Sequence, residues 1–445
     1  MVKKTLQGYY RIRFNCVRDT DRNDTDTMSE LFTPYRIGPL ELRNRTIRSA
    51  AFEGMCEHNS PSKSLFDYHT AVARGGIGMT TIAYAAVCKS GLSFERQLWM
   101  REEIVPELKR LTDAIHAEGA KASIQLGHCG NMSHKRICGC TPYGASRGFN
   151  LYSPTFVHRM TRQEIDEVVE AYGNAVRLAI KAGFDAVEIH AGHGYLISQF
   201  LSPYTNHRKD EYGGSLDNRM CFMRRCMKAV TEAGKGKVAI FVKMNTRDGF
   251  KGGMEIDESI EVAKELQRCG ADALVLSGGF VSRAPMYVMR GQFPKKAIAH
   301  YMPLSQWWLK IGVMIGGKIV SPTVPFKRLY FLEDALKFRK ELPDMPLVYV
   351  GGVTTRKDAD KVIDSGFQML QMGRAVLEDT DFVNKMKADA DCCSGCEHTN
   401  FCIGRMYSLE MACHKTCKDI TPALERDVQK TIRQNDRMER KLGYK

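Results

Sequence analysis

The stretch VEIHAGHGYLISQFLSP, residues 187–203, brings His190, His193 and Tyr195 close together with Gly192 and Gly194 between them. Two imidazoles and a phenol at that spacing can donate hydrogen bonds to a developing oxyanion, move a proton, or ligate a metal. A zinc-protease reading asks for H-E-x-x-H on one helix face. Here two glycines break any helix and the required glutamate is missing. The residues alone leave open a catalytic set or a pair of satisfied core histidines. The choice turns on what holds that turn.

Short β-branched or apolar runs recur along the chain, each followed by an amphipathic helical pattern. They are TIRSA (46–50), GMTTIAYAAV (78–87), KASIQL (121–126), AVEIHA (186–191), VAIFVKMN (238–245), ALVLSGG (273–279), PLVYVGG (346–352) and FQMLQMGR (367–374). Several are apolar throughout, as parallel strands covered by helices require. The clearest helix follows Thr161, with Glu164 completing a capping box and Gly183 marking the end. Eight such units predict a (β/α)8 TIM barrel; a doubly wound sheet would announce itself with an early G-x-G-x-x-G turn. The expected organisation is a flexible leader (1–28), a barrel (29–387) and a Cys-rich segment with a basic helical tail (388–445). A long insertion after strand six, about 280–335, is expected to wall the barrel mouth.

Barrel chemistry collects at the C-terminal strand ends. Strands seven and eight end in Gly351–Gly352 and Gly373–Arg374. Glycine turns at those two strands let backbone N–H groups approach a phosphate, and Arg374 adds charge. Gln125 and Lys243 lie on strands that are otherwise apolar. A buried lysine needs negative charge beside it. The N1–C2=O edge of a reduced flavin would supply that charge.

Residues 187–220, together with LFTPYRIGPLELRNRTIRSA, IQLGHCGN, VGGVTT and MGRAVLEDTDF, resemble the signature of the Old Yellow Enzyme family of FMN-dependent ene-reductases. The likeness runs in order from about residue 30 to 385, and within the family is nearest to the enoate reductases and the barrel domain of 2,4-dienoyl-CoA reductase. It implies FMN as cofactor and NAD(P)H as co-substrate, with hydride passing through flavin N5 to the activated C=C bond of an enone or enoate. By the same resemblance His190 and His193 hold the substrate carbonyl oxygen and Tyr195 donates the proton. Gln125 becomes a flavin contact, and Ala50, Ala51, Phe52 and Tyr84 flank the isoalloxazine. Lys243 stands where the family usually has arginine, keeping the charge but not the fork of donors.

Six of the fifteen cysteines crowd into residues 392–417. Such crowding suggests an iron–sulfur cluster or zinc. The related reductases carry a four-cysteine [4Fe-4S] motif just past the barrel. The nearest fit here is Cys393, Cys396, Cys402 and Cys413, with one interval too long and Thr399 where a ligand would be expected. A cluster, zinc and a remnant with free thiols all remain readings of this segment.

The net charge of +14 is spread and mixed with acids, so no nucleic-acid partner is expected. No apolar run is long enough for a membrane span, so no membrane partner is expected either. A cytoplasmic location is expected, and the basic start MVKKTLQGYYRIRF is also compatible with organelle import. No Gly-rich dinucleotide fingerprint follows the barrel, so electrons are expected to reach FMN directly from NAD(P)H. Two other readings compete. One is a tRNA-modifying flavin barrel, which would need a catalytic cysteine in place of the His–His–Tyr set. The other is a flavin and thiol redox sensor without turnover.

Overall fold

The computed structural model describes residues 29–444. The leader expected over 1–28 lies outside the described residues. Eight parallel strands close into a barrel: β1 (Thr46–Arg48), β2 (Met79–Ala86), β3 (Lys121–Gly127), β4 (Ala186–His190), β5 (Ala239–Asn245), β6 (Ala273–Ser277), β7 (Leu347–Val350) and β8 (Met369–Met372). Closure comes from β1, which pairs in parallel with β8 (Leu370 opposite Thr46) and with β2 (Ile47 opposite Met79). Each expected strand is present, most of them shortened at the ends and the third, Lys121–Gly127, one residue longer than expected.

Helices cover the barrel as the pattern requires. Thr161 and Glu164 form the capping box of the helix Arg162–Lys181, and Gly183 takes the left-handed conformation just beyond it. Ile165, Val168, Tyr172 and Val176 are that helix's buried face.

The barrel interior is graded. At the bottom a hairpin of Tyr35–Ile37 and Leu40–Leu42 packs Ile37, Leu40 and Leu42 against inward residues such as Met79, Ala186, Phe241 and Met369. Higher up, the inward rows turn polar. Strand side chains alternate, so Ala186, Glu188 and His190 share one face of β4, as do Phe241, Lys243 and Asn245 on β5. Register sets Glu188 opposite Gln125 and His190 opposite Lys243.

The insertion after β6 carries helices Pro285–Met289, Lys295–Tyr301 and Trp307–Val320. The segment after the barrel folds back over its mouth. Ser394 N–H donates to Thr354 O at 2.7 Å, Arg356 N–H to Cys392 O at 3.0 Å and Met411 N–H to Glu53 O at 2.7 Å. Its final helix, Pro422–Lys441, buries Leu424 and Val428 with Ala297 and Phe401.

Candidate active site

After His190 the chain turns sharply before the helix Leu196–Leu201, which Tyr195 precedes. His193 sits at φ +57° and Gly194 at φ +79°. A side chain is strained there, and functional sites are where such strain is tolerated. Both glycines are also sterically required: a Cβ at Gly192 would lie 2.8 Å from Asn245 Oδ1, and one at Gly194 2.4 Å from the Phe280 ring. His193 N–H donates to Asn245 Oδ1 at 2.8 Å, and Asn245 Nδ2 in turn donates to Asp248 Oδ1 and Gly279 O. The turn is thus held from β5.

The three side chains meet. The His190 ring stacks on Tyr195 at 4.2 Å and stands perpendicular to His193 at 5.1 Å. His193 Nε2 pairs with Ser277 Oγ at 2.7 Å. His190 Nδ1 accepts the Gly192 N–H at 3.4 Å, which assigns the ring proton to Nε2 and leaves that N–H free to donate. Tyr84 meets the Tyr195 ring edge-on at 5.0 Å, and its hydroxyl is hydrogen-bonded to Ser93. Burial keeps both imidazoles neutral. It pushes His193 down to about 3, with the Lys243 charge adding, and lowers His190 well below the usual range. Burial raises the Tyr195 phenol, against an opposing hydrogen bond from Tyr84. The tyrosine therefore keeps its proton.

Below them lies a buried ionic group that the sequence reading missed. Lys243 Nζ is 2.9 Å from Glu188 Oε1, with side-chain exposures of 2% and 1%. Gln125 Nε2 donates to Glu188 Oε1 at 2.7 Å and Gln371 Nε2 to Glu188 Oε2 at 2.6 Å. Lys243 also approaches Ser49 Oγ at 3.4 Å. The charge expected to come from a ligand alone is already supplied by Glu188. Burial lowers the Lys243 pKa, and Glu188 opposes that shift.

A cleft of about 1000 Å³, counting its open mouth, joins these groups to the ends of β7 and β8. It is lined by Ala50, Ala51, His193, Lys243, Gly351, Gly352, Gly373 and Arg374. Tyr195, Tyr84 and Phe52 are outside that lining but pack in one cluster with Ala50. Gly352 takes φ +76°, and a Cβ there would lie 2.8 Å from the Tyr330 ring. Gly373 is different: a Cβ would meet nothing nearer than Ser49 Cβ at 4.0 Å, so it borders open space. The insertion contributes Val288, Met289, Phe326 and Tyr330 to the lining, and the C-terminal segment Ser394, Cys396 and His398.

The cysteines expected as metal ligands fare differently. Cys396, Cys402 and Cys413 are close enough to perturb one another, and burial pushes Cys402 up to about 12 and Cys413 up to about 11. Yet among the described residues no three His, Cys, Asp or Glu side chains converge as a metal site. The residues between Cys396 and Cys402 have another task. Asn400, at φ +58°, accepts from Arg374 at 2.9 Å and donates to the Arg290 and Gln292 carbonyls. That turn ties the segment to the barrel, and among the described residues the four cysteines are not gathered into one metal site.

A closed parallel barrel with its polar groups gathered at the C-terminal mouth is the architecture of a (β/α)8 enzyme. The NADH:flavin oxidoreductase / NADH oxidase family model matches residues 30–302. The chain is 38% identical over 379 residues to a 4,4'-dithiodibutanoate disulfide reductase of Rhodococcus erythropolis, covering 85% of this chain and 93% of that protein. It is 37% identical over 267 residues to an NADPH dehydrogenase of Listeria monocytogenes serotype 4a (strain HCC23), covering 58% and 76%. Two solved structures share the fold. One is 2-naphthoyl-CoA reductase, with a TM-score of 0.72 and 23% identity over 90% of this chain and 58% of that one. The other is the old yellow enzyme homologue from Zymomonas mobilis, with a TM-score of 0.66 and 22% identity over 90% and 99%. The chain belongs to the NADH:flavin oxidoreductase, or Old Yellow Enzyme, family. It is a flavin-dependent oxidoreductase of a family that uses FMN and NAD(P)H.

Proposed function

We propose that this chain reduces the activated C=C bond of an α,β-unsaturated carbonyl compound, using NAD(P)H through FMN. The residues present fit a flavin. Gln371 lines the cleft with its buried Oε1 unpartnered. Lys243 lines the same space. The ribityl phosphate would take the open cradle at Gly373 and Arg374, with Gly351 and Gly352 beside it. Ala50, Ala51, Phe52 and Tyr84 would flank the ring, and Gln125 would act on it through the Glu188 network. FMN, when bound, would supply two-electron hydride chemistry between the nicotinamide and the substrate β-carbon.

The observation that carries the reading is the packed His190–His193–Tyr195 group, of which His193 lines this cleft. As hydride adds, negative charge grows on the carbonyl oxygen. Neutral imidazole N–H groups aimed at that oxygen stabilise it without themselves carrying charge. The Tyr195 hydroxyl, held protonated by burial, can give its proton to the α-carbon.

The test separates the half-reactions. Tyr195→Phe removes a hydroxyl needed only by the substrate. Stopped-flow absorbance should show flavin reduction by NAD(P)H near the wild-type rate and enone-driven reoxidation slowed on the order of 10²-fold or more. Equal slowing of both halves would show that Tyr195 positions the flavin or nicotinamide instead.

A second reading, reduction of an aliphatic disulfide at the same cleft, is favoured by the long match to the Rhodococcus enzyme. Two electrons would break the S–S bond, and Tyr195 would protonate one leaving thiolate. Reoxidising the reduced protein anaerobically with an enone and, separately, with a dithio-dicarboxylate decides between them: the faster oxidant marks the substrate class.

A further inference from the structure

We infer that the insertion after β6 docks this enzyme on an anionic lipid surface. The inference does not depend on which substrate is reduced. The helix Trp307–Val320 turns an apolar face to solvent: Leu304 just before it is 85% exposed, Trp307 63%, Trp308 53%, Ile311 51%, Met314 36% and Ile315 74%. Positions 304, 307/308, 311 and 315 recur at helical spacing, so these side chains form one stripe rather than scattered exposures. A contiguous patch of this size on a water-soluble surface marks a binding face.

The charge around it identifies the occupant. Between Asp272 and Glu333 the chain carries eight Lys or Arg residues and no Asp or Glu. Two of them are neutralised from elsewhere, Lys296 by Asp427 and Arg328 by Asp358, and the balance stays positive. Lys295 donates to the Met314 carbonyl at 2.8 Å, which sets an ammonium beside the apolar stripe. Paired tryptophans beside an acid-free basic segment suit the headgroup layer of an anionic bilayer. The helix has 14 residues, too few to cross, and no helix among the described residues is long and apolar enough to span. It would therefore lie in the interface. The same insertion lines the cleft with Val288, Met289 and Tyr330, so the docking face and the substrate wall are one continuous piece of chain. A second copy would also cover apolar surface, but this acid-free segment would face its own net positive charge across a two-fold axis.

The test uses the full-length, FMN-loaded protein and vesicles of phosphatidylcholine with or without about one third phosphatidylserine. Co-sedimentation should be at least about tenfold stronger on the phosphatidylserine vesicles and should weaken as salt rises. Two of the three tryptophans lie on the patch, so their emission should shift to the blue on binding. The triple variant Trp307→Ser, Ile311→Ser, Ile315→Ser should lose binding at least about tenfold while flavin content and NAD(P)H-driven flavin reduction stay unchanged. Failure of the wild type to bind phosphatidylserine vesicles overturns the inference, as does undiminished binding by the variant. So does a wild-type dimer that the same substitutions dissociate in the absence of any vesicle binding, since a second copy would then be the occupant.

Discussion

Glu188→Gln is the most direct probe of how the barrel interior is built. In the wild type the carboxylate faces the Lys243 ammonium at 2.9 Å and accepts from Gln125 and Gln371. The substitution keeps the shape, and the new amide oxygen can still accept one of those bonds. Its NH₂, however, would point a donor at another donor. Removing one partner of a buried ion pair costs about 3–5 kcal/mol, because the remaining charge has neither water nor counter-charge. In a chain of this size each kcal/mol moves the melting temperature by about 2 °C or less, so a fall of about 5–10 °C is expected. Linkage fixes the pH dependence. The unfolded lysine titrates near 10.4, and the folded Lys243 pKa, already lowered by burial, drops further without Glu188. Between those two values the unfolded state binds the extra proton, so stability rises with pH and the deficit shrinks as the pH climbs toward the unfolded value. Adding Lys243→Met removes the stranded charge, and the double variant should return to within about 1–2 kcal/mol of wild type. Circular-dichroism melts, run with excess FMN and again after the flavin is stripped, keep the ion pair's effect apart from lost ligand binding. Unchanged stability in Glu188→Gln, a deficit that grows with pH, or a double variant no better than the single one would refute the reasoning.

Three further outcomes can be measured. Because burial holds His193 at about 3 and His190 well below the usual range, the oxidative half-reaction should be flat over about pH 5.5–8; an inflection near pH 6.5 that His193→Asn abolishes would contradict this. The same depressed values contribute stability that is present above about pH 6.5 and lost as the pH falls toward the folded pKa values, so acid melts of His193→Asn should be less steep. Gly373→Leu has an ordinary φ of −104° and open space beside it, so it should fold and melt like flavin-stripped wild type, and fail to retain FMN; a yellow, stoichiometrically loaded variant would remove Gly373 from the phosphate cradle.

The barrel was legible because each strand is a short apolar run bounded by glycine or a polar turn, and parallel strands covered on both faces must read that way. The His190–His193–Tyr195 turn was legible for a related reason: residues at a barrel strand's C-terminal end project into the mouth. Glu188 escaped although it lies two residues before His190. Strand ends carry the visible chemistry, while the two-residue period that sends His190 inward also sends Glu188 inward one layer deeper. Lys243 was recognised as a buried charge, but its partner was sought in a ligand rather than in the neighbouring strand. The C-terminal segment was harder still. Its cysteines invite a metal reading by spacing, and nothing in spacing reveals that Asn400 would tie Arg374 to the insertion. Long-range docking of this kind has no local periodicity to betray it.

The pairing of Lys243 with Glu188 bears on what a lysine can do where related chains usually carry arginine. An ammonium has three donors. Here one reaches Glu188 at 2.9 Å and a second leans on Ser49 at 3.4 Å, which leaves one for the cleft. A guanidinium would offer more, in a fixed fork. The lysine compensates by being held: its stem is buried, and its position is set by a carboxylate that Gln125 and Gln371 in turn hold in place. Glu188 also makes the pair neutral overall, so the barrel need not carry an isolated charge whenever the cleft lacks an anion. The cost of burying charge is met once, within the fold, and is not charged against ligand binding. Lys243 lines the cleft, so an electron-rich ligand edge reaching it would meet a charged donor already held in place.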